Sequence, residues 1–220
     1  VMKNLNEKID NFIYENNDRI DKIVNEKSEV IIDIDEISLK GNHNLENVLF
    51  IIGIGKILNI PNEVISQFLK TTKALEHRLE NFFLKQNTLF INDSKGTNVE
   101  STIKAIEAFK NRIVLIAGGE NKKICNEELI KKINERVGFV YLIGETGTIL
   151  AEEMNKVGYK KYKNLGTLEK VLLDIKQNID FEDSQTILFS PATASFDQFK
   201  NFEERGRIFK ELTNKILGEK

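Results

Sequence analysis

The chain has 220 residues, of which 40% are hydrophobic and 30% are charged, an ordinary composition for a soluble protein. Its 32 basic and 34 acidic residues give a net charge of -2, so the overall charge does not favour nucleic acid or an anionic membrane. No apolar run approaches the roughly 20 residues of a membrane span, and residues 1–14 lack the pattern of a secretion signal. A single Cys125 excludes an intrachain disulfide. We therefore expect a cytoplasmic protein that binds neither nucleic acid nor a membrane.

Residues 1–74 are predicted to form a small, polar unit. Residues 5–14 favour a marginal helix or a partly disordered arm, and the β-branched runs at 19–24 and 30–34 favour a hairpin. A helix is predicted from residue 41 to about 58, and a second one over 63–69, after Pro61. The inward face of the second helix is predicted to be Val64, Ile65, Phe68 and Leu69. Residues 71–80 are interpreted as a linker. At roughly 75 residues, this unit is too short and too polar to be a domain by itself, so we expect it to be the tail of a longer domain. The opening Val1-Met2 is typical of an internal cut.

Strands and helices alternate from residue 81 onward. The predicted strands are 88–91, 113–117, 139–143, 161–162 and 186–190, and the predicted helices are 99–109, 126–137, 148–156, 167–177 and 199–217. This rhythm indicates an α/β fold with a doubly wound, mainly parallel, Rossmann-like sheet. The predicted domains are therefore residues 1–74 and residues 75–220.

Polar side chains follow several of these strands where each strand ends. The turns read NDSKGTN at 92–98, GGENK at 118–122, GETG at 144–147 and SPATASF at 190–196. Because parallel strands end at one edge of the sheet, we expect a crevice there that holds Asp93, two or more lysines and several hydroxyls. Ser94, Thr97 or Asn98 is expected to cap the helix that begins near residue 99.

Several common functional motifs are absent from the sequence. No G-x-G-x-x-G follows the first strand and no G-x-x-x-x-G-K-[ST] occurs, which excludes the usual dinucleotide and P-loop sites from this chain. His43 and His77 have no Cys or His at zinc-site spacing.

Read together, these stretches resemble the Mur ligases that add D-glutamate to UDP-N-acetylmuramoyl-L-alanine. The resemblance covers roughly residues 41–220, and its most specific parts are NDSKGTN at 92–98 and SPATASFDQFKNFEERG at 190–206. It implies an ATP-dependent ligase of peptidoglycan precursor synthesis, which forms an amide through an acyl phosphate. Residues 1–74 would be the end of a central ATP-binding domain, and residues 75–220 a Rossmann-like domain that binds the amino acid.

The resemblance also implies roles for individual residues. Those expected to contact ATP are Asn44 and Asn47 at the adenine, and Arg78 and Asp93 at the ribose and phosphates. Lys95 would lie near the phosphates or the incoming carboxylate, which makes Lys95 and Asp93 the candidate catalytic residues. D-glutamate would be held by Thr97, Lys122, Ser195 and the backbone near Phe196 and Phe202. The phosphate loop and the main Mg²⁺ ligands would lie outside this chain, which we expect to be a monomer and to be inactive by itself.

Structural alternatives remain open for each of these residues. Asp93 also suits a helix cap, Arg78 an ion pair with Glu76 or Glu80, and Lys122 a solvated loop beside Lys123. The structural alternative for Asn44 and Asn47 is a helix cap and a solvated amide. Phe199 and Phe202 are predicted on one helix, and one of the two is expected in the core. In departures from the family pattern, Gly96 replaces a common alanine, and Ala74-Leu75-Glu76 replaces Gly-Leu-Pro before the His-Arg pair. Cys125-Asn126 stands where an Asp-Phe pair is frequent. A binding module without catalysis is the alternative function.

Overall fold

The chain divides into two compact units, Val1–Ala74 and Leu75–Lys220, in a computed structural model. The structure describes residues 13–16, 19–24, 30–38, 42–72, 75–121 and 127–218. Within these ranges no helix is both long enough and apolar enough to cross a membrane.

The first unit combines a small antiparallel sheet with two helices. Its elements are β1 (Ile13–Asn16), β2 (Arg19–Val24), β3 (Val30–Asp33), a 3-10 turn (Ile34–Glu36), α1 (Asn42–Ile57) and α2 (Asn62–Thr71). The sheet order is β1-β2-β3, so the predicted hairpin of β2 and β3 gains a third strand. The core of this unit includes Ile32, Val48, Ile52, Ile65 and Leu69.

Two expectations for this unit are wrong. Ile13 and Tyr14 lie in a strand and not in a helix, because they pair with β2; residues 5–12 lie outside the described residues. In α2 only Ile65 and Leu69 are buried, whereas Val64 and Phe68 are 55% and 50% exposed. Residues four apart share a helix face, and the neighbouring positions are turned about 100° away from it.

The second unit is built on a six-stranded sheet. Its strands are β4 (Glu80–Lys85), β5 (Thr88–Asn92), β6 (Arg112–Gly118), β7 (Val137–Ile143), β8 (Tyr162–Gly166) and β9 (Gln185–Phe189). Its helices are α3 (Val99–Glu107), α4 (Glu127–Arg136), α5 (Thr146–Lys156), α6 (Leu168–Asn178) and α7 (Phe202–Leu217). The strand order is β4-β5-β9-β6-β7-β8, with β4 antiparallel to β5 and the other pairs parallel. The predicted α/β fold is confirmed.

Two apolar layers cover the faces of this sheet. Along β6, Ile113, Leu115 and Ala117 face a layer that contains α3, α4 and α5, while Val114 and Ile116 face a layer that contains α6 and α7. All five are fully buried. A strand that is apolar on both sides must be covered on both sides, which explains why the helices are divided between the two faces.

The central position of β9 makes the carboxyl edge of the sheet a topological switch point. The chain leaves its neighbours β5 and β6 toward the layer of α3 and α4, and leaves β9 toward the layer of α7. Adjacent chains that diverge to opposite faces leave space between them, and ligands of open α/β sheets bind at such points.

Strand β4 and part of the preceding segment were not predicted correctly. Residues 71–80 are not simply a linker, because His77 is only 4% exposed and β4 begins at Glu80. β4 is an edge strand whose residues are all exposed or half-buried, so its sequence lacks the apolar pattern of the inner strands.

The cap of α3 gives a first testable prediction. The Asn98 side chain accepts a hydrogen bond of 2.8 Å from the Ser101 N–H, so Asn98 is the N-cap. We expect Asn98→Ala to lower the free energy of unfolding, measured by urea denaturation, by about 1 kcal/mol. The control is Asn98→Asp, which keeps the acceptor and adds a favourable charge at the helix N-terminus. An equal loss of stability in both variants would contradict the cap.

Candidate functional site

Asp93 lies at the end of β5, where it joins two other segments of the second unit. Its side chain is 5% exposed; Oδ2 accepts a hydrogen bond from Ser190 Oγ at 2.6 Å, and Oδ1 accepts one from the Leu79 N–H at 3.2 Å. Burial raises the pKa of Asp93 to about 6, against the opposing effects of these two hydrogen bonds and of Arg78 and Arg205. Asp93 therefore does not cap α3, and its carboxyl is poised to change charge in mildly acidic solution.

Arg205, in the first turns of α7, connects the turns that follow β5 and β9. It is fully buried, and its guanidinium donates from Nε to Ser94 Oγ (3.0 Å), from Nη2 to the Ser94 carbonyl (2.8 Å) and from Nη1 to the Thr193 carbonyl (3.0 Å). Burial lowers the pKa of Arg205 to about 10, while Asp197 and Asp93 favour its charged form. The group is therefore a buried cation at neutral pH that holds the turns after β5 and β9 together.

The turns after β6 and β7 pack closely against each other at two glycines. Gly119 has φ 155° and Gly144 has φ 65°, and a Cβ on Gly144 would overlap Asp197 Oδ2 and lie 2.7 Å from the Gly119 Cα. Thr146 Oγ1 donates to the Glu120 carbonyl at 2.6 Å, and the Asn121 N–H donates to Glu145 Oε2 at 3.2 Å. These contacts attach the stretch that leads to Lys122 to the start of α5.

Exposed and half-buried groups surround this buried framework. Arg78 and Lys95 are exposed cations, Thr97 and Phe202 are half-buried, and the Lys95 ammonium lies 5.2 Å from the centre of the Phe202 ring. Ser195 is 2% exposed, whereas the neighbouring Phe196 is 65% exposed. In the part of the chain that the structure describes, Arg78 forms no ion pair, and Glu76 and Glu80 pair with Lys210 instead.

The structure brings seven of the ten predicted site residues to the carboxyl edge of one unit: Arg78, Asp93, Lys95, Thr97, Ser195, Phe196 and Phe202. Asn44 and Asn47 lie in the first two turns of α1 in the other unit, where Asn47 is exposed. Lys122 and Cys125 lie outside the described residues. Helix α7 begins at Phe202, so Phe199 precedes the helix and packs against the core, which corrects their predicted placement on one helix.

The structure also explains why position 96 is a glycine. A Cβ at this position would lie 2.6 Å from both Asp93 Oδ2 and Ser190 Oγ, the two atoms that form the short hydrogen bond. The glycine that departs from the resemblance therefore leaves space for this bond.

Sequence reasoning missed Arg205, His77 and Asn92, all of which are at most 4% exposed. A signal existed for Arg205, because it shares a helix face with the core residue Phe209, one turn away at i+4, and a charge on a buried face requires a partner. The sequence carries no such signal for His77 and Asn92, because their contacts come from segments distant in sequence.

Comparison with known proteins assigns the family. Residues 77–193 match the family described as Mur ligase, glutamate ligase domain, over more than half of the chain. The chain belongs to this family, and the predicted resemblance is confirmed.

Curated relatives agree with this assignment. The chain is 46% identical over 200 residues to a UDP-N-acetylmuramoylalanine–D-glutamate ligase of Fusobacterium nucleatum, covering 90% of this chain and 46% of the relative. It is 39% identical over 212 residues to the ligase of the same name of Caldicellulosiruptor bescii, covering 94% and 45%. The chain thus spans about half the length of the curated relatives that it matches.

Among solved structures, MurF from Acinetobacter baumannii superposes with a TM-score of 0.60 at 18% identity, covering 80% of this chain and 39% of that protein. MurF ligase from Thermotoga maritima, solved in complex with ADP, superposes with a TM-score of 0.56 at 15% identity, covering 88% and 43%. At these identities the structures support the fold alone.

The buried carboxyl predicts a pH-dependent stability. Because the pKa of Asp93 rises from 3.8 to about 6 on folding, the folded chain retains a proton that the unfolded chain releases between these values. The stability from this group is fully present below pH 3.8 and is lost as the pH rises through 6. We expect Asp93→Asn to gain up to about 3 kcal/mol relative to the original chain between pH 4 and pH 7.

The measurement is urea denaturation across that range of pH, with Asp183→Asn as the control. Asp183 is 56% exposed, and its variant should follow the original pH dependence. A constant difference between Asp93→Asn and the original chain would contradict the assignment.

Two glycines with similar backbone angles test the packing of the turns. Gly144 and Gly158 have φ 65° and φ 78°, but a Cβ on Gly158 has no atom within 4 Å. Alanine at either position would be destabilised by roughly 1–2 kcal/mol, because a residue with a Cβ is strained in the left-handed conformation. We expect Gly144→Ala to lower the free energy of unfolding by about 1–3 kcal/mol more than Gly158→Ala, because its methyl group meets Asp197 and Gly119. Equal losses would show that the two turns are not in close contact.

Proposed function

We propose that this chain is the amino-acid-accepting part of an ATP-dependent ligase that adds D-glutamate to UDP-N-acetylmuramoyl-L-alanine in peptidoglycan precursor synthesis. One observation carries the proposal: the chain is 46% identical to a ligase of that name over 200 residues, which is 90% of this chain. Residues 1–74 are then the end of an ATP-binding domain, and residues 75–220 are the domain that binds the amino acid.

Fixed positive charge is one contribution that the proposed reaction needs from this unit. ATP activates a carboxylate as an acyl phosphate, the amine of D-glutamate attacks, and negative charge develops on the tetrahedral intermediate. Preorganised cations stabilise such charge, because they need not reorient during the reaction. Arg78 and Lys95 are exposed cations at the carboxyl edge that suit this role.

D-glutamate carries two carboxylates, which require donors at a fixed separation. In the proposed site Thr97 follows β5, Lys122 follows β6 and Ser195 follows β9, with the backbone near Phe196 and Phe202 beside them. Three turns on a rigid sheet hold such donors more firmly than one flexible loop. The buried links through Arg205 and Asp93 fix two of the three turns.

On the ATP side, Asn44 and Asn47 are proposed at the adenine, and Arg78, Asp93 and Lys95 near the ribose and phosphates. Each Asp93 oxygen already accepts one hydrogen bond within the unit, so a contact to ATP would use the remaining lone pairs. Asp93 also fixes the turn from which Lys95 projects.

Among the described residues no group of three His, Cys, Asp or Glu side chains could hold a metal ion. The resemblance implies Mg²⁺, and we propose that its main ligands lie outside this chain. We further propose a monomer in the cytoplasm, where ATP and nucleotide-linked precursors are available.

The proposal is tested by NMR titration of the chain with D-glutamate and, separately, with L-glutamate. We expect D-glutamate to shift the amides of Thr97 and Ser195 more than L-glutamate does. Lys122→Ala should weaken binding about tenfold to a hundredfold, because one charge-assisted hydrogen bond is lost. Lys123→Ala, which removes the adjacent lysine, is the matched control and should retain the original affinity.

Equal shifts for both isomers, or equal losses in Lys122→Ala and Lys123→Ala, would contradict the proposed glutamate site.

A separate assay with UDP-N-acetylmuramoyl-L-alanine, D-glutamate and ATP should show no turnover by the 220-residue chain alone. Binding of D-glutamate without turnover by a full-length protein would instead favour a non-catalytic binding module.

A further inference from the structure

The ring of His77 is held against the first turns of α7. It is 4% exposed, meets the Phe202 ring edge to face at a centroid distance of 6.2 Å, and lies so close to Gly206 that a Cβ there would overlap Nδ1. His77 has φ 65°, a left-handed conformation that few residues other than glycine adopt. Such a conformation persists only where surrounding contacts enforce it.

Asn92 determines which nitrogen of this ring carries the proton. Asn92 is fully buried, and its Oδ1 accepts from the Ser94 N–H at 3.2 Å, which directs Nδ2 toward His77 Nδ1 at 2.9 Å. The same Nδ2 also faces Glu80 Oε2 (3.1 Å) and the Gly206 carbonyl (3.3 Å), and therefore acts only as a donor. A proton on His77 Nδ1 would face this donor, so the contact favours the neutral ring with its proton on Nε2.

The backbone on both sides of this ring supports the two exposed cations. The His77 carbonyl accepts from the Lys95 N–H at 2.9 Å, and the His77 N–H donates to Glu80 Oε2 at 3.0 Å. Two residues after His77, Leu79 donates its N–H to Asp93 Oδ1. Arg78 therefore projects from a short segment that is fixed at both ends, and Lys95 is attached to the same segment.

We propose that His77 is a positioning residue, held by Asn92 and Gly206 as the Nε2–H tautomer, which fixes the directions in which Arg78 and Lys95 leave the carboxyl edge. This inference rests on the proposed ligase function, in which both cations act on phosphate or carboxylate oxygens. Its geometric part stands independently, because every contact lies within the second unit.

Charged groups surround the ring and decide its response to acid. Burial lowers the pKa of His77, and Lys210 on α7 acts in the same direction. Glu80 on β4, Glu76 in the preceding turn and Glu203 on α7 oppose that shift. A proton on Nδ1 would also face the donor Asn92 Nδ2, so we expect the ring to remain neutral below its ordinary pKa.

Three variants separate positioning from packing. His77→Asn keeps an acceptor oxygen near the place of Nδ1, and asparagine tolerates the left-handed backbone. His77→Gln places its amide farther from the backbone, near the place of Nε2, and lacks that acceptor. Asn92→Asp preserves shape but replaces the donor with a carboxylate, and Asn178→Asp on the exposed end of α6 is its control.

The first readout uses the 220-residue chain. A ¹⁵N spectrum of the histidines should show an unprotonated Nδ1, assigned to His77 rather than His43 by its loss in His77→Asn. Hydrogen exchange of the Lys95 amide should stay slow in His77→Asn and Asn178→Asp, and become faster in His77→Gln and Asn92→Asp. A protonated Nδ1, or the same exchange rate in all variants, would overturn the proposal whatever the protein's activity.

The second readout uses the full-length ligase that the proposed function implies. His77→Gln and Asn92→Asp should lower kcat/KM for ATP about tenfold or more, and should change KM for D-glutamate less than about twofold. His77→Asn should retain most of the original kcat/KM for ATP. Equal losses in the three variants, or a parallel rise of both KM values, would indicate a merely structural role and overturn the proposal. If the unaltered protein does not ligate D-glutamate, the proposed function fails, and the ¹⁵N and exchange data alone decide the positioning.

Discussion

The carboxyl edge of the second unit depends on one buried cation, the guanidinium of Arg205. A charge removed from water must be compensated, and here two carbonyls and a hydroxyl accept its hydrogen bonds while Asp93 and Asp197 balance its charge. These partners come from the turns after β5 and β9. Two turns that are distant in sequence are thereby held together, and the exposed groups they carry acquire fixed positions.

The same arrangement keeps Asp93 in an unfavourable environment. Its carboxyl is desolvated, and the neighbouring hydrogen bonds and cations only partly offset that cost, so its pKa is raised. Proteins commonly retain such destabilised groups where they bind or react. The glycines at positions 96, 119 and 144 follow the same logic, because they allow backbone and side chains to approach more closely than a Cβ permits.

Sequence patterns predicted the elements whose burial is strong and uniform. The run from Ile113 to Ala117 is apolar on both faces, so β6 was predicted within one residue at each end. Edge strand β4 was missed because Glu80–Lys85 is only partly covered and mixes charges with aromatics. Asp93 and Ser195 were selected because they lie in sequence motifs. The contacts of His77, Asn92 and Arg205 join residues far apart in sequence, so they produce no periodic pattern that could be recognised.

The central place of β9 also affects how the chain acquires its structure. β9 is the last strand in sequence, yet it separates β5 from β6, and Arg205 follows it. A ribosome therefore releases β4 to β8 before the strand that joins them into one sheet. Pairings of such long sequence separation form slowly, because the chain entropy lost in closing the loop precedes the gain from contact. A nascent chain of this protein exposes the unpaired edges of β5 and β6 until β9 emerges, and molecular chaperones would protect those edges during that period.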